Sequence, residues 1–314
     1  MRRMPYLPFK PSPTPASASS LRPSHRHLHP SFRAYSTPSP TPLILERNIP
    51  APHTGSIRVL SLNRPAARNA ISRALLAELT KHAERLHDEG TTGPTRALVL
   101  ASAVDGVFCA GADLKERASF TKEETTTFLT SLRRTFTLLA TLPLPTISAL
   151  SAPALGGGLE LALTSDLRVF TSATTVGLPE TRLGIIPGAG GTHRLPALIG
   201  LNRARDLVLT GRRVGAGEAY FLGLCDRVVE VEGQGEEAAA RARERVLEEA
   251  VRLAREISEG GPVAIRAAKK AVEGWRDGSG GVEGEAYEEV VGTEDRGEAL
   301  RAFAEKRMPV FKGR

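Results

Sequence analysis

Up to about residue 233, the apolar positions switch repeatedly between the spacing typical of strands and the spacing typical of helices. Residues 56–62 alternate polar and apolar side chains, which predicts a half-buried strand. Ser72 is a suitable N-cap, and the apolar residues after it fall on one helical face, namely Leu75, Leu76, Leu79, Ala83 and Leu86. Further strands are predicted at 97–102, 146–150 and 166–170, and further helices at 121–140 and from the glycine triplet 156–158. This alternation predicts an α/β layered domain.

After residue 233 the helical spacing continues without a strand-like segment. Helices are predicted near 236–258, 262–276, 285–291 and 294–306, with a flexible loop at 277–284. Their narrow apolar stripes suit packing against a core or against a neighbouring subunit. We therefore divide the chain into a leader at 1–41, an α/β core at 42–233 and a helical C-terminal region at 234–314.

The basic charge of the chain is concentrated at its N-terminus. The 314 residues carry a formal net charge of +7, but residues 1–41 contain six basic residues and no acidic residue, so the remainder is nearly neutral. The leader is rich in proline, serine and arginine and lacks a continuous apolar segment. This composition predicts a mitochondrial transit peptide, cleaved near 35–36, and a location in the matrix. A plain disordered tail is the alternative.

The sequence gives no indication of a metal site, a disulfide framework or a membrane span. Cys109 and Cys225 are isolated, and the four histidines outside the leader lack the spacing of metal ligands. No apolar run approaches the roughly 20 residues that a transmembrane helix requires. We therefore expect no metal and no membrane association, and we interpret Cys109 as a buried small residue.

Two glutamates stand beside glycine-rich turns. Glu160 lies in A-L-G-G-G-L-E-L-A-L at 154–163, and Glu180 lies in G-L-P-E-T-R-L-G-I-I-P-G-A-G-G-T at 177–192. Glycine lets backbone N–H groups approach a ligand closely, and a nearby carboxylate can transfer a proton. The combination predicts acid–base chemistry on a substrate whose developing negative charge is held by backbone amides. Taken alone, each glutamate is better explained as a helix-terminal acid or a surface loop residue.

Four motifs, in the same order along the chain, are similar to those of the enoyl-CoA hydratase/isomerase (crotonase) family. They are F-C-A-G-A-D-L-K-E, G-G-G-L-E-L, P-E-T-x-L-G-I-I-P-G-A-G-G-T and A-F-A-E-K-R, and the resemblance covers roughly 43–314. It implies a crotonase-like α/β fold, in which a spiral of β-β-α units precedes a helical C-terminal region that forms trimers or dimers of trimers. It also implies an acyl-CoA substrate, which supplies its own coenzyme A, so no separate cofactor is expected.

The resemblance implies roles for four residues at the site of reaction. The backbone N–H groups of Ala112 and Gly157 would form an oxyanion hole for the thioester carbonyl. Glu160 would act on the attacking water as general base, and Glu180 would donate a proton to Cα, although one shared water would let either residue carry both protons. Retention of both acids favours hydration of the double bond over its isomerisation.

The resemblance also implies contacts with the CoA part of the substrate. They would come from Ala110, Asp113 and Leu114, with Asp113 also suited to cap a helix. Phe303 would lie along the pantetheine, and Lys306 would contact a CoA phosphate from a neighbouring subunit. A solvated helix lysine is the alternative interpretation of Lys306.

Within the family, the motifs are most similar to those of mitochondrial methylglutaconyl-CoA hydratases, which implies 3-methylglutaconyl-CoA, from leucine degradation, as the substrate. The alternative is a general short-chain enoyl-CoA hydratase of fatty-acid oxidation. RNA binding, which occurs in one relative, is disfavoured because the helix after Ser72 presents a nearly neutral face. The chain departs from the family pattern at Ala152 and Pro153, where an Asn or Asp followed by Gly is usual, and this puts the pocket shape in doubt.

Overall fold

Six strands form the larger of two sheets in the computed structural model, which describes residues 41–274 and 280–314. The strands of these ranges are β1 (Ile44–Pro50), β2 (Ser56–Leu62), β3 (Thr95–Ser102), β4 (Thr146–Leu150), β5 (Ala154–Leu155), β6 (Leu167–Thr171), β7 (Thr175–Gly177), β8 (Arg213–Gly215) and β9 (Arg227–Val229). The large sheet has the order β1-β2-β3-β4-β6-β9, and all neighbours are parallel except β1 and β2. The small sheet has the order β5-β7-β8, with β5 parallel and β8 antiparallel to β7.

Helices connect the strands and continue to the C-terminus. Those of the described ranges are α1 (Arg73–Asp88), α2 (Leu114–Arg117), α3 (Lys122–Ala140), α4 (Gly157–Ala162), α5 (Gly191–Ile199), α6 (Leu201–Thr210), α7 (Ala216–Leu222), α8 (Glu236–Ser258), α9 (Pro262–Glu273), α10 (Gly281–Val291) and α11 (Glu294–Glu305). Short 3-10 helices span Pro65–Ala67 and Pro179–Leu183. No helix of the described residues is both long and apolar enough to cross a membrane.

The large sheet is covered by helices on both faces. Alternate residues of β3 point in opposite directions, so Leu98 and Leu100 join a core with α1 and α3, whereas Val99 joins a second core. This second core is closed by α8, whose Ala250 and Ala254 are buried against the sheet. A parallel sheet with two covered faces explains the nearly continuous apolar runs of its strands.

The two helices that pack against the first face begin at well-defined caps. Ser72 accepts a hydrogen bond from the N–H of Leu75 at the start of α1. Thr121 and Glu124 form a capping box at the start of α3. Each interaction satisfies N–H groups that a helix cannot pair internally, so the entry points of both helices are determined locally.

Most of the predicted elements are confirmed, and one is wrong. The strands at 56–62 and 146–150 are β2 and β4, and the helix at 236–258 is α8. The predicted loop at 277–284 is wrong where the structure describes it, since 281–284 already belong to α10. Ala286 of that helix is buried next to α9, so tertiary packing outweighs the helix-breaking tendency of the glycines. The predicted transit peptide at 1–41 lies outside the described residues except for Thr41.

Candidate active site

A cavity of about 630 Å³ opens where the chain leaves β5 and β7. Its volume is within the range of pockets that hold small organic ligands. Its lining includes Ala110, Ala112, Leu114, Arg133, Gly157, Glu160, Glu180 and Arg182. Glu160 and Glu180, predicted from the glycine-rich turns, therefore face the same space.

Parallel pairing of two very short strands brings the glutamates together. Leu155 at the end of β5 is in register with Gly177 at the end of β7. Carboxyl ends of parallel strands lie at the same edge of a sheet, so the segments that follow them are neighbours. Glu160 is in α4 directly after β5, and Glu180 is in the 3-10 helix directly after β7.

Gly156 makes the close approach of these two segments possible. Its backbone has a φ of +52°, a region that L side chains rarely adopt. A Cβ at this position would also lie 2.8 Å from Oε1 of Glu180. The first glycine of the triplet is therefore required by the turn and by its contact with the carboxyl group.

Two residues that line the cavity, Ala112 and Gly157, have backbone N–H groups suited to bind an anion. Ile71 bonds to the carbonyl of Gly111 and to the N–H of Asp113, so the N–H of Ala112 between them faces the opposite side. Gly157 is the first residue of α4, where an N–H has no partner within the helix. Within the described residues neither N–H donates a hydrogen bond, and a Cβ built on Gly157 would lie 3.5 Å from the nitrogen of Ala112. The pair can bind one oxyanion.

Glu160 is buried and held by a glycine-rich loop. Its Oε1 accepts hydrogen bonds of 2.8 Å from the N–H groups of both Ala189 and Gly191. Burial raises the pKa of Glu160, and these two N–H groups oppose the rise because they favour the charged form. The carboxylate thus has a fixed orientation and remains able to accept a proton.

Glu180 is buried in a different electrostatic environment. Its Oε2 is buried and has no hydrogen-bond partner among the described residues. Burial raises the pKa of Glu180 to about 7, and the negative charge of Glu160 acts in the same direction. Around neutral pH, Glu180 is therefore protonated in a large fraction of molecules. Two carboxyl groups in one site with different environments are suited to opposite roles in proton transfer.

The residues predicted to contact CoA divide into two groups. Ala110 and Leu114 line the cavity. Asp113 does not, because its carboxylate caps α2 and forms a 2.7 Å ion pair with Arg64. Phe303 and Lys306 are exposed on and after α11 and do not line the cavity of their own chain. Their predicted contacts require a neighbouring subunit and stay predictions.

The glycines at 188, 190 and 191 have a function that the sequence reasoning missed. They were expected to aim N–H groups at the substrate, but the loop aims those of Ala189 and Gly191 at Glu160. Gly190 has a φ of +112°, and this left-handed residue orients the two N–H groups on either side of it towards one acceptor. The spacing P-G-A-G-G-T was a visible signal, but its acceptor depends on tertiary structure.

Two further predictions concern residues close to the cavity. Pro153, at the departure from the family pattern, accepts a hydrogen bond from the N–H of Phe108 through its carbonyl. Cys109 is buried, and burial raises the pKa of its thiol to about 12, so it is not a nucleophile. Among the described residues, no group of three or more His, Cys, Asp or Glu side chains is placed to hold a metal ion.

The amino-acid sequence of this chain is also clearly similar to those of known proteins. The model of the enoyl-CoA hydratase/isomerase family matches residues 53–314. The chain is 62% identical to an enoyl-CoA isomerase/hydratase of Zymoseptoria tritici, with 89% of this chain and 91% of that relative covered. It is 56% identical to methylglutaconyl-CoA hydratase 1, mitochondrial, of Pyricularia oryzae, with 95% of each covered.

Solved structures give the same result. An enoyl-CoA hydratase from Bacillus anthracis superposes with a TM-score of 0.78 at 40% identity, covering 87% of this chain and 100% of that chain. The fold is therefore crotonase-like, as the motifs predicted. The chain belongs to the enoyl-CoA hydratase/isomerase family and is an enzyme of the hydro-lyase type.

Proposed function

We propose that this enzyme adds water across the α,β double bond of 3-methylglutaconyl-CoA. The observation that carries the proposal is the convergence of two buried carboxyl groups and two unpaired N–H groups, within the described residues, on one cavity. The choice of acyl group is supported by the relative in Pyricularia oryzae that is named for this activity.

The oxyanion hole supplies the electrostatic part of the mechanism. Attack of water on Cβ moves negative charge onto the thioester oxygen as an enolate forms. The N–H groups of Ala112 and Gly157 stabilise this charge, and loss of one such donor typically costs about 2.7–4 kcal/mol of transition-state stabilisation. Because the N–H groups belong to the backbone, their orientation needs no rearrangement during the reaction.

The two glutamates divide the proton transfers. Glu160 accepts a proton from water as the oxygen bonds to Cβ, because its two N–H partners favour the carboxylate. Glu180 donates a proton to Cα, since its pKa, raised to about 7, keeps it protonated in a large fraction of molecules near neutral pH. The product gains one water, and each carboxyl group returns to its starting state by exchange with solvent. These steps need no cofactor besides the coenzyme A of the substrate.

We also propose a mitochondrial location and an oligomeric assembly. The acid-free, arginine-rich leader supports import, and relatives from Pyricularia oryzae and Arabidopsis thaliana carry mitochondrial names. The matrix and the breakdown of leucine follow from the proposed substrate. A trimer or a dimer of trimers would place Phe303 and Lys306 at a neighbouring cavity, which explains why they lie away from their own.

The test measures kcat/KM on 3-methylglutaconyl-CoA and crotonyl-CoA for the wild type, Glu160→Gln and Glu180→Gln. We expect the wild type to prefer 3-methylglutaconyl-CoA and each variant to lose about 10²–10⁴-fold in kcat on both substrates. Equal or reversed preference would favour a general short-chain enoyl-CoA hydratase. Near wild-type hydration by either variant would refute the mechanism with two carboxyl groups.

A further inference from the structure

The cavity contains arginines that the proposed mechanism does not use. Those among the described lining residues are Arg117, Arg133, Arg182 and Arg213. Coenzyme A phosphates account for positive charge at the entrance, but a cation beside the reacting carbon needs another explanation. The acyl group proposed above carries a carboxylate at its far end, so the position of each arginine relative to the two glutamates decides which one can meet it.

Arg133 and Glu160 form hydrogen bonds with opposite sides of one peptide group. The Nε of Arg133 donates a 2.7 Å hydrogen bond to the carbonyl of Gly188, and the N–H of Ala189 donates a 2.8 Å hydrogen bond to Oε1 of Glu160. The carbonyl of Gly188 and the N–H of Ala189 belong to the same peptide unit. Arg133 Nε and Glu160 Oε1 therefore lie at most about 8 Å apart.

The positive charge of Arg133 lowers the pKa of Glu160, the proposed general base. Burial raises the pKa of Glu160, and among the described cavity-lining arginines only Arg133 opposes that rise. Arg194 also opposes it, but it donates to the carbonyls of Ala189 and Phe136 and does not line the cavity. Arg133 makes no ion pair within the described part of the chain, so its two Nη groups are available to an anion.

The order of groups along the substrate places the distal carboxylate on this side. The thioester oxygen lies at Ala112 and Gly157, Glu180 acts at Cα, and Glu160 acts through water at Cβ. One methylene separates the distal carboxylate from Cβ, so its oxygens reach about 3–4 Å beyond that carbon. Arg117 lies instead at the end of α2, close to the turn of Ala112, and Arg182 follows Glu180 in the same 3-10 helix. Arg213 begins β8 in register with Gly177 of β7, the strand that leads to Glu180.

Resting on the proposed function, we infer that Arg133 binds the distal carboxylate of the acyl group. The enzyme thereby selects CoA thioesters of unsaturated dicarboxylic acids over those of simple enoic acids. A guanidinium suits this task because its planar fork of donors matches a carboxylate. The hydrogen bond from Nε to Gly188 leaves both Nη groups for the ligand and fixes their direction.

The test compares 3-methylglutaconyl-CoA with 3-methylcrotonyl-CoA, which keeps the branch at Cβ but lacks the carboxylate. The variant is Arg133→Gln, because the glutamine amide nitrogen occupies the place of Nε and can still donate to Gly188. We expect kcat/KM on 3-methylglutaconyl-CoA to fall about 10- to 100-fold, chiefly through KM. On 3-methylcrotonyl-CoA the fall should be at least about tenfold smaller, because the effect of the Arg133 charge on Glu160 is common to both substrates, whereas the contact to the distal carboxylate exists for only one.

Two further variants make the result specific. Arg134→Gln is the matched control, since this neighbour on α3 pairs with Glu84 outside the cavity and should leave both substrates unaffected. Arg182→Gln removes another cavity cation whose Nε also donates to a carbonyl, that of Thr210. A selective loss in Arg182→Gln, or an equal loss on both substrates in Arg133→Gln, would overturn the inference.

The same measurements separate this inference from the proposed function. A wild-type preference for 3-methylglutaconyl-CoA that persists in Arg133→Gln would overturn the role of Arg133 and leave the proposed substrate in place. A wild type that does not prefer the dicarboxylic substrate would refute the proposed substrate, and the role of Arg133 with it.

Discussion

The raised pKa of Glu180 is explained by its buried environment, which offers its Oε2 no hydrogen-bond partner among the described residues. Glu160, whose charge acts on it, instead accepts hydrogen bonds from two backbone N–H groups. A buried polar atom without a partner is rare in proteins and destabilises the charged form. The cavity therefore holds one carboxyl group prepared to accept a proton and one prepared to donate it.

This environment makes folding stability depend on pH. The pKa of Glu180 is about 7 in the folded chain and has an ordinary value near 4.5 when unfolded. The folded state therefore holds this proton more tightly, so the contribution is complete below pH 4.5 and is lost as pH rises through about 7. Between about pH 5 and about pH 8 we expect this contribution of Glu180 to wild-type stability to be lost, and Glu180→Gln to abolish that loss.

Urea unfolding at both pH values measures this effect. The free energy of unfolding of Glu180→Gln minus that of the wild type should be larger at about pH 8 than at about pH 5. The exposed Glu230→Gln is the control and should follow the wild type. A difference between Glu180→Gln and the wild type that does not change with pH would show that burial of the charge is not the cause.

The motifs indicated which residues lie together better than they indicated the contacts of each residue. Glu160, Glu180, Ala112 and Gly157 all line the cavity, as the resemblance implied. Asp113 does not, because its carboxylate is used by Arg64 and by the N–H groups of α2. A motif shows which residue types occur together, but the partner of a carboxylate depends on segments that are distant in sequence.

At the scale of elements, the position of α4 depends on the absence of a side chain at Gly158. A Cβ at Gly158 would lie 2.2 Å from the carbonyl oxygen of Cys109, a backbone atom that cannot move aside cheaply. Cys109 is also bridged to Ala154, at the start of β5. The glycine therefore sets the distance between the helix that carries Glu160 and the turn that carries Ala112.

We expect Gly158→Ala to lower the unfolding free energy by about 1–3 kcal/mol and to reduce kcat. Gly217→Ala, in α7, is the matched control because a Cβ there meets nothing within 4 Å. That variant should gain about 0.5–1 kcal/mol, as alanine stabilises helices relative to glycine. Urea unfolding of both variants measures the two effects, and equal effects would contradict the packing argument.

Elements of this fold differ in how well the sequence predicts them. The helix after Ser72 was predicted with its cap and its buried face because it spans several turns. The two residues of β5 and the three residues of β7 are too short to show a period, so they were not predicted as strands. These same strands align Glu160 with Glu180, which is why the glycine-rich turns suggested acid–base chemistry but only the resemblance assigned a role to each glutamate.

At the scale of the whole molecule, apolar side chains remain exposed on neighbouring helices. Phe221 on α7 is 77% exposed and Leu209 on α6 is 72% exposed. The guanidinium of Arg203 on α6 lies 5.9 Å from the ring centroid of Phe221, so the two helices present one surface. Exposed apolar surface of this kind is typical of subunit contacts.

We expect this surface to contribute to the proposed homo-oligomer. Light scattering should give the wild type the mass of a trimer or of a dimer of trimers, and Phe221→Glu should shift the mass to smaller species. Leu45→Glu, at an exposed apolar residue of β1, is the control and should leave the mass unchanged. An unchanged mass for Phe221→Glu would remove this surface from the interface.

The sequence by itself determined the long helices, four of the six strands of the large sheet and the family, because periodicity, caps and ordered motifs are local properties of the chain. Tertiary structure alone decided that the loop of Gly190 holds Glu160, that Oε2 of Glu180 is buried without a partner among the described residues, and that Arg133 and Glu160 bond to the same peptide group. The physical reason is that hydrogen-bond partners and desolvation arise between segments far apart in sequence, where no local pattern records them.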